Sequence, residues 1–367
     1  MTLCTTTAYS SDEILCTHTP SPSQRISRLC SQLLYPRSSH AATLLPQGDV
    51  LIVGGAGATN RVEIFNIGTY TFREVRGMRG ERATPESIVI GSDSKAYLFG
   101  GLLAQGTTRN SVEVFDPSTE RFSSVSRLTK TREGHAVASF RDGTVLIYGG
   151  DTSTRDYPEL YDTRRAERMT FPLSDNDGEL PRISEARLYA AAVPVVDREE
   201  RKEVLIFGGN TVRGGPVLAL HTITISPQGE STTKEIASPF PRMLDSGTLT
   251  KLNDDSILIL GGWDGHNRLA TAALYTPSTR TVRKITPMLQ PRAGHQATLL
   301  LDGRVLITGG GESPFTEIYN PKTESFSTFE NIPVLAQHSA TLLKDGRVLL
   351  VGGLAESMRG DAFILAP

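Results

Sequence analysis

The sequence predicts an all-β fold: seven four-stranded blades in a β-propeller, with an N-terminal strand closing the last blade. Three observations carry this. A Gly-Gly pair recurs seven times, each period repeats one grammar of strands and turns, and the last period stops one strand short.

Each pair follows a short apolar run: LIVGG ending at Gly55, YLFGG at Gly101, LIYGG at Gly150 and LIFGG at Gly209, then LILGG at Gly262, LITGG at Gly310 and LLVGG at Gly353. The spacings of 46, 49, 59, 53, 48 and 43 residues lie around the ~50 residues of one propeller blade. Within a period the first strand is small and apolar, as in HAATLL (40–45) and HQATLL (295–300). A tight turn follows, Asp142-Gly143, Asp302-Gly303 or Asp345-Gly346, whose residues tolerate the positive φ of a hairpin. The second strand ends in Gly-Gly. A third alternates, as VEIF to Phe65, VEVF to Phe115, AALY to Tyr275 and TEIY to Tyr319, and runs into Asp116-Pro117, Thr276-Pro277 or Asn320-Pro321. A weaker fourth strand carries Phe72, Phe122 or Phe326.

Closure follows from the ends. LAP (365–367) aligns with the end of a third strand, so the seventh blade lacks its fourth. SQRISRL (23–29) resembles the fourth-strand segment TERFSSV (119–125). Residues 23–30 are therefore expected to complete blade seven, since a propeller leaves no free edge at its seam. The propeller then spans 23–367, and the Ser/Thr-rich stretch 1–22 reads as a poorly ordered tail.

Composition limits the partners. Lys and Arg number 38 against 40 Asp and Glu, a balance that speaks against nucleic acid. No apolar run approaches the ~20 residues of a membrane span, and the N-terminus lacks the pattern of a secretory signal. The three cysteines, Cys4, Cys16 and Cys30, all lie near one end. An odd count is no disulfide framework, so a reducing, cytoplasmic setting is expected.

Gly-Gly, an aromatic residue further on, and Pro-Arg before the next repeat together resemble the kelch motif, over about residues 23–367. The Trp usual in the fourth strand is replaced by Phe72, Phe122, Val282 or Phe326. Blade four departs furthest, with SDNDGEL (174–180) before it and DREERKE (197–203) at its turn. The resemblance implies that the face made by the loops after Gly-Gly and the linkers into the first strands is the binding face.

Candidate residues on that face recur at fixed offsets. Arg37, Arg82, Arg132, Arg187, Arg242 and Arg292 hold one position. Three residues later come His40, Pro85, His135, Ala190, Asp245 and His295, with His338 in the seventh repeat and Trp263 after the fifth Gly-Gly. Planar guanidinium groups pair bidentately with carboxylates, so the leading expectation is a protein- or peptide-binding propeller that presents an Arg-rich face to an acidic partner. The plain structural alternative is that Arg and His belong to the motif and bond nearby backbone. His40, His295 and His338 come from neighbouring blades and form a weak candidate for an open three-nitrogen metal site; no metal or other cofactor is expected.

The competing expectation is an isomerase, cyclase or lyase acting on a small molecule in the central funnel. The resemblance extends to oxidases, sialic-acid isomerases and iron-dependent specifier proteins, but none of their constellations is intact. Gly55-Ala-Gly57 precedes a strand, RVEIF, rather than the helix a phosphate cradle needs. Asp175-Asn176-Asp177-Gly178 fails as a calcium loop, because Leu173 and Ser184 occupy ligand positions. A copper-radical site needs a cysteine near the ring centre, and none lies there.

Overall fold

A computed structural model describes residues 16–21, 24–82, 88–103, 105–150, 158–169, 187–211, 220–227, 231–237, 240 and 245–367. Only strands, turns and irregular segments occur among them, arranged as seven antiparallel meanders. Blade one runs Ala41–Leu44, Val50–Val53, Val62–Asn66 and Thr71–Val75, each strand pairing with the next. The other blades repeat this order, so the innermost strand is always the first.

The second strands are buried, as in Val50–Val53 and Val348–Val351, apart from the first two residues of Arg201–Phe207, because both faces of a blade pack against neighbours. Seven apolar clusters fill the junctions between consecutive blades among the described residues. At the seam, Val50, Ile52 and Phe65 of blade one meet Leu349, Val351 and Ile364 of blade seven. Each such side chain contributes roughly 1.5–3 kcal/mol by leaving water. Where the kelch pattern has Trp, Phe72, Phe122 and Phe326 lie over Phe65, Phe115 and Tyr319, each pair 5.0 Å between ring centroids.

The ring closes as the sequence predicts. Ile26–Leu29 pairs antiparallel with Ala362–Leu365, with Ile26 opposite Leu365 and Arg28 opposite Phe363. Two expectations about the N-terminal end are corrected. Cys16–Thr17, inside the stretch read as tail, forms a further strand parallel to the closing one. That pairing sets Cys16 beside Cys30 in a disulfide, with Cα atoms 4.8 Å apart. The odd cysteine count concealed one local pair, and the argument for a reducing compartment loses its footing. No helix among the described residues is long and apolar enough to cross a membrane.

Blade four carries long strands, Ala191–Arg198 and Arg201–Phe207, with a bulge between Pro194 and Val196. The stretch 174–180 lies outside the described residues, as do Arg242 and Pro85.

Candidate functional site: the loop face and the central funnel

In a four-stranded meander, the loops after Gly-Gly and the linkers into the first strands emerge at one end, here called the loop face. The five recurring arginines among the described residues stand just below it, but they do not reach it. Arg37, Arg82, Arg132 and Arg292 are 0% exposed, and Arg187 is buried as well. This corrects the expectation of an Arg-rich surface.

The reason is a set of buried carboxylates in the third strands. Glu63, Glu113, Glu159 and Glu317 are the polar members of the alternating pattern, yet they face packed blades rather than water. Arg37 bonds Glu63, Arg82 bonds Glu113 at 3.3 Å, Arg132 bonds Glu159 at 3.0 Å, and Arg292 bonds Glu317 at 2.8 Å. A backbone N–H three residues before each arginine donates to the same carboxylate: Leu34, Arg79, Thr129 and Leu289. Arg37, Arg132, Arg187 and Arg292 also donate to the carbonyl of the first glycine of their pair, Gly54, Gly149, Gly208 and Gly309. Burial lowers the pKa of Arg37, Arg82 and Arg292 against the pull of their glutamates. Each assembly is a charge-neutral plug between the linker and its blade.

The histidines are equally occupied. His40, His135, His295 and His338 are buried on the inner wall. His40 Nε2 lies 2.9 Å from Ser339 Oγ, His295 Nε2 is 3.0 Å from Thr248 Oγ1, and His338 Nε2 is 2.8 Å from Thr308 Oγ1. Each of these imidazoles thus reaches back to the preceding blade. The Gly-Gly pair makes room for them: a Cβ on Gly309 would stand 2.5 Å from His338 Cε1, and one on Gly310 would stand 2.8 Å from His295 Cβ. Both glycines also adopt positive φ, which glycine tolerates at no steric cost. Because the three Nε2 atoms go to three different hydroxyls, the weak metal candidate is not assembled. Among the described residues no group of three or more His, Cys, Asp and Glu is placed to hold a metal. Burial, joined by nearby arginines, pushes His40, His135 and His295 down to about 3 and His338 to about 4.

Above the histidines lies a backbone collar. Ser39, Gly134, Tyr189, Ser246, Gly294 and Gln337 all have φ between 51° and 66°, a region costly for residues other than glycine. The conformation tips their amides toward neighbouring blades: Ser39 N–H donates to Gln337, Gln337 to Gly294, Gly294 to Ser246, and Tyr189 to Gly134. The collar opens into a cavity of about 500 Å³, and a second of about 540 Å³ shares His40, His338, Val137 and Gln296 with it. The described residues lining both include no Asp, Glu, Lys, Arg or Cys.

Asp245 and Trp263 lie apart from this wall. Asp245 pairs with Trp263 as Ser38 pairs with Ala56, so it precedes the collar residue, and Gly247 takes the histidine position it was assigned. Asp245 Oδ2 accepts from Asn210 Nδ2 at 2.7 Å. Trp263 lines a separate surface pocket of about 400 Å³ with Arg268 and Glu312.

The sequence reading missed the four glutamates and the collar. The glutamates left a signal: they follow the arginine by 26, 31, 27 and 25 residues, and blade seven lacks both, with Leu335 and Phe363 at the two places. The collar left little, since Ser, Gly, Tyr and Gln share no side-chain chemistry.

No family model matches the sequence. Among curated proteins it is 24% identical to tRNA wybutosine-synthesizing protein 4 of Candida glabrata, over 74% of this chain and 41% of that protein. It is 24% identical to beta-scruin of Limulus polyphemus, over 52% and 21%, and 24% identical to galactose oxidase of Gibberella zeae, over 72% and 41%. The chain spans less than half the length of each of these relatives. Among solved structures it resembles a fungal alcohol oxidase of the AA5 family at TM-score 0.72 and 13% identity, covering 94% of this chain and 77% of that one. Seven blades, their seam and these relatives agree. The chain is a kelch-repeat β-propeller. The kelch fold also superposes on YjhT at TM-score 0.59 and 14% identity, over 82% of this chain and 99% of that one.

Proposed function

We propose that this kelch propeller is a protein-binding module that engages its partner with apolar side chains of the loop face. The carrying observation is where large apolar residues remain in water. Leu34, Tyr189, Leu289, Val334, Leu354 and Met358 are all exposed on linkers or loops of that face. On the opposite face only Leu301 is comparably exposed among the described residues. Apolar exposure gathered on one side marks an interaction surface, whereas single scattered residues need no explanation. The kelch type itself supports protein interaction. An acidic partner loses its support, because Arg37, Arg82, Arg132 and Arg292 are neutralised in place by glutamates.

The enzyme reading loses ground for a physical reason. Acid–base catalysis at neutral pH wants a group titrating near the working pH, and the described funnel wall offers histidines held at about 3 to 4. An uncharged small molecule could still occupy the funnel.

The test compares a Leu354→Ser, Met358→Ser double variant with Leu301→Ser, using quantitative affinity capture on proteins of unchanged melting temperature. Capture should fall in the double variant and persist in the control. Equal capture by all three proteins would remove the loop face from consideration.

A further inference from the structure

Blade seven is the one blade whose fourth strand is not joined to its third by a turn. Its closing strand comes from the other end of the chain and makes three register pairs, where the corresponding ladder has five in blade one, four in blade two and two in blade three. Its inner supports are Arg28 Nη2 on Asp361 at 2.9 Å and Ala366 N–H on the Arg25 carbonyl. Its outer edge is covered by Cys16–Thr17, a two-residue strand. So short a strand has little hold of its own. The covalent tie to Cys30, fourteen residues away, keeps it in place.

We propose that the Cys16–Cys30 disulfide is a thiol-exchangeable latch on ring closure. Cys16 is exposed and Cys30 half-buried, so a thiol reductant can reach the sulfur. Its thiolate attacks Sγ of Cys16 and forms a mixed disulfide. The Cys16–Cys30 bond breaks, and its electron pair leaves on Cys30, which takes a proton. A second thiolate attacks the reductant sulfur of the mixed disulfide and releases Cys16 as a thiol once protonated. Two reductant thiols become one disulfide, and the latch gains two electrons and two protons.

Reduction removes the loop-closure constraint on Cys16–Thr17, baring the edge of Ile26–Leu29. The seam between first and last blades then loses that support and opens more readily than in the oxidised protein. It lies next to the linker that carries Leu34, and it holds the blade that carries Leu354 and Met358. The backbone bonds from Leu33 to Gly360 and from Arg37 to Arg359 join the two sides of that seam. Opening would therefore alter the loop face at one sector only.

Hydrogen–deuterium exchange of the intact protein, equilibrated in glutathione buffers of graded poise, tests this. On reduction, the backbone amides of 26–29 and 362–365 should exchange faster by about tenfold to a hundredfold. Those of Thr144–Tyr148, across the ring in blade three, should not change. Cys16→Ser should match the reduced protein in every buffer, and Cys30→Ser provides a second variant should that one fold poorly. Identical seam exchange in both redox states would overturn the proposal. So would a disulfide that millimolar glutathione leaves intact in the native protein, or a uniform acceleration across all seven blades.

Discussion

Blades six and seven are neighbours with the same order of inner strands, the same Gly-Gly geometry and the same histidine clamp, yet under the loop face they differ at a pair of positions. Blade six holds Arg292 and Glu317, both 0% exposed and bonded to each other. Blade seven holds Leu335 and Phe363 there, both buried. A charged pair and an apolar pair thus serve the same place under the loop face. What the site requires is a filled, self-satisfied plug, and the charge itself is dispensable. This accords with the general finding that a buried ion pair can be replaced by apolar residues of similar volume with little loss, whereas half of one cannot.

That comparison can be broken most sharply by removing one partner. Glu317→Ala leaves the Arg292 guanidinium buried without its carboxylate and orphans the Leu289 N–H. Chemical denaturation should show a loss of about 3–5 kcal/mol. A loss below about 1 kcal/mol would mean that the pair behaves as though solvated. The next effect is shared by both blades and reads the histidine clamp. The folded pKa of His295, about 3, lies below its ordinary 6.5. The unfolded chain therefore takes up a proton as pH falls through 6.5, while the native state resists until about 3. Stability from this group is full above 6.5 and declines between those values by about 1.4 kcal/mol per pH unit. His295→Leu should make the acid limb of stability against pH shallower by one proton, and an unchanged slope would refute the clamp. The smallest effect belongs to the swap itself. Arg292→Leu with Glu317→Phe, which copies blade seven into blade six, should lie within about 2 kcal/mol of wild type. A result as damaging as Glu317→Ala would show that the two plugs are not equivalent.

Much of the fold was legible because Gly-Gly, Asp-Gly and the truncated last period are local signals with fixed geometric meaning. The pairing of residues 26–29 with the last strand could be read for the same reason. The site was less legible because exposure is a tertiary property. In an isolated sheet the glutamate of VEIF would face solvent, and only the packing of one blade on the next turns Glu63 inward. Once Glu63 is inside, Arg37 must follow it. The Asp245 position slipped because five residues, not three, separate Arg242 from Gly247 in the sequence. The disulfide was hidden because parallel pairing of two short segments fourteen residues apart has no signature in spacing.

The seam also has a mechanical consequence. In the antiparallel pairing of the closing strand, Ile26 sits opposite Leu365, so tension entering along the chain at 26 and leaving at 365 would pull on adjacent ends. Such a load peels a ladder one bond at a time. The Cys16–Cys30 bond reroutes it: force arriving at Cys16 passes straight to Cys30 and draws on the closing strand from its Leu29 end. The load points then lie at opposite ends of the pair, and the hydrogen bonds must slide and fail together. The oxidised seam is loaded in shear and the reduced seam unzips, so the same three register pairs resist very different forces depending on one covalent bond.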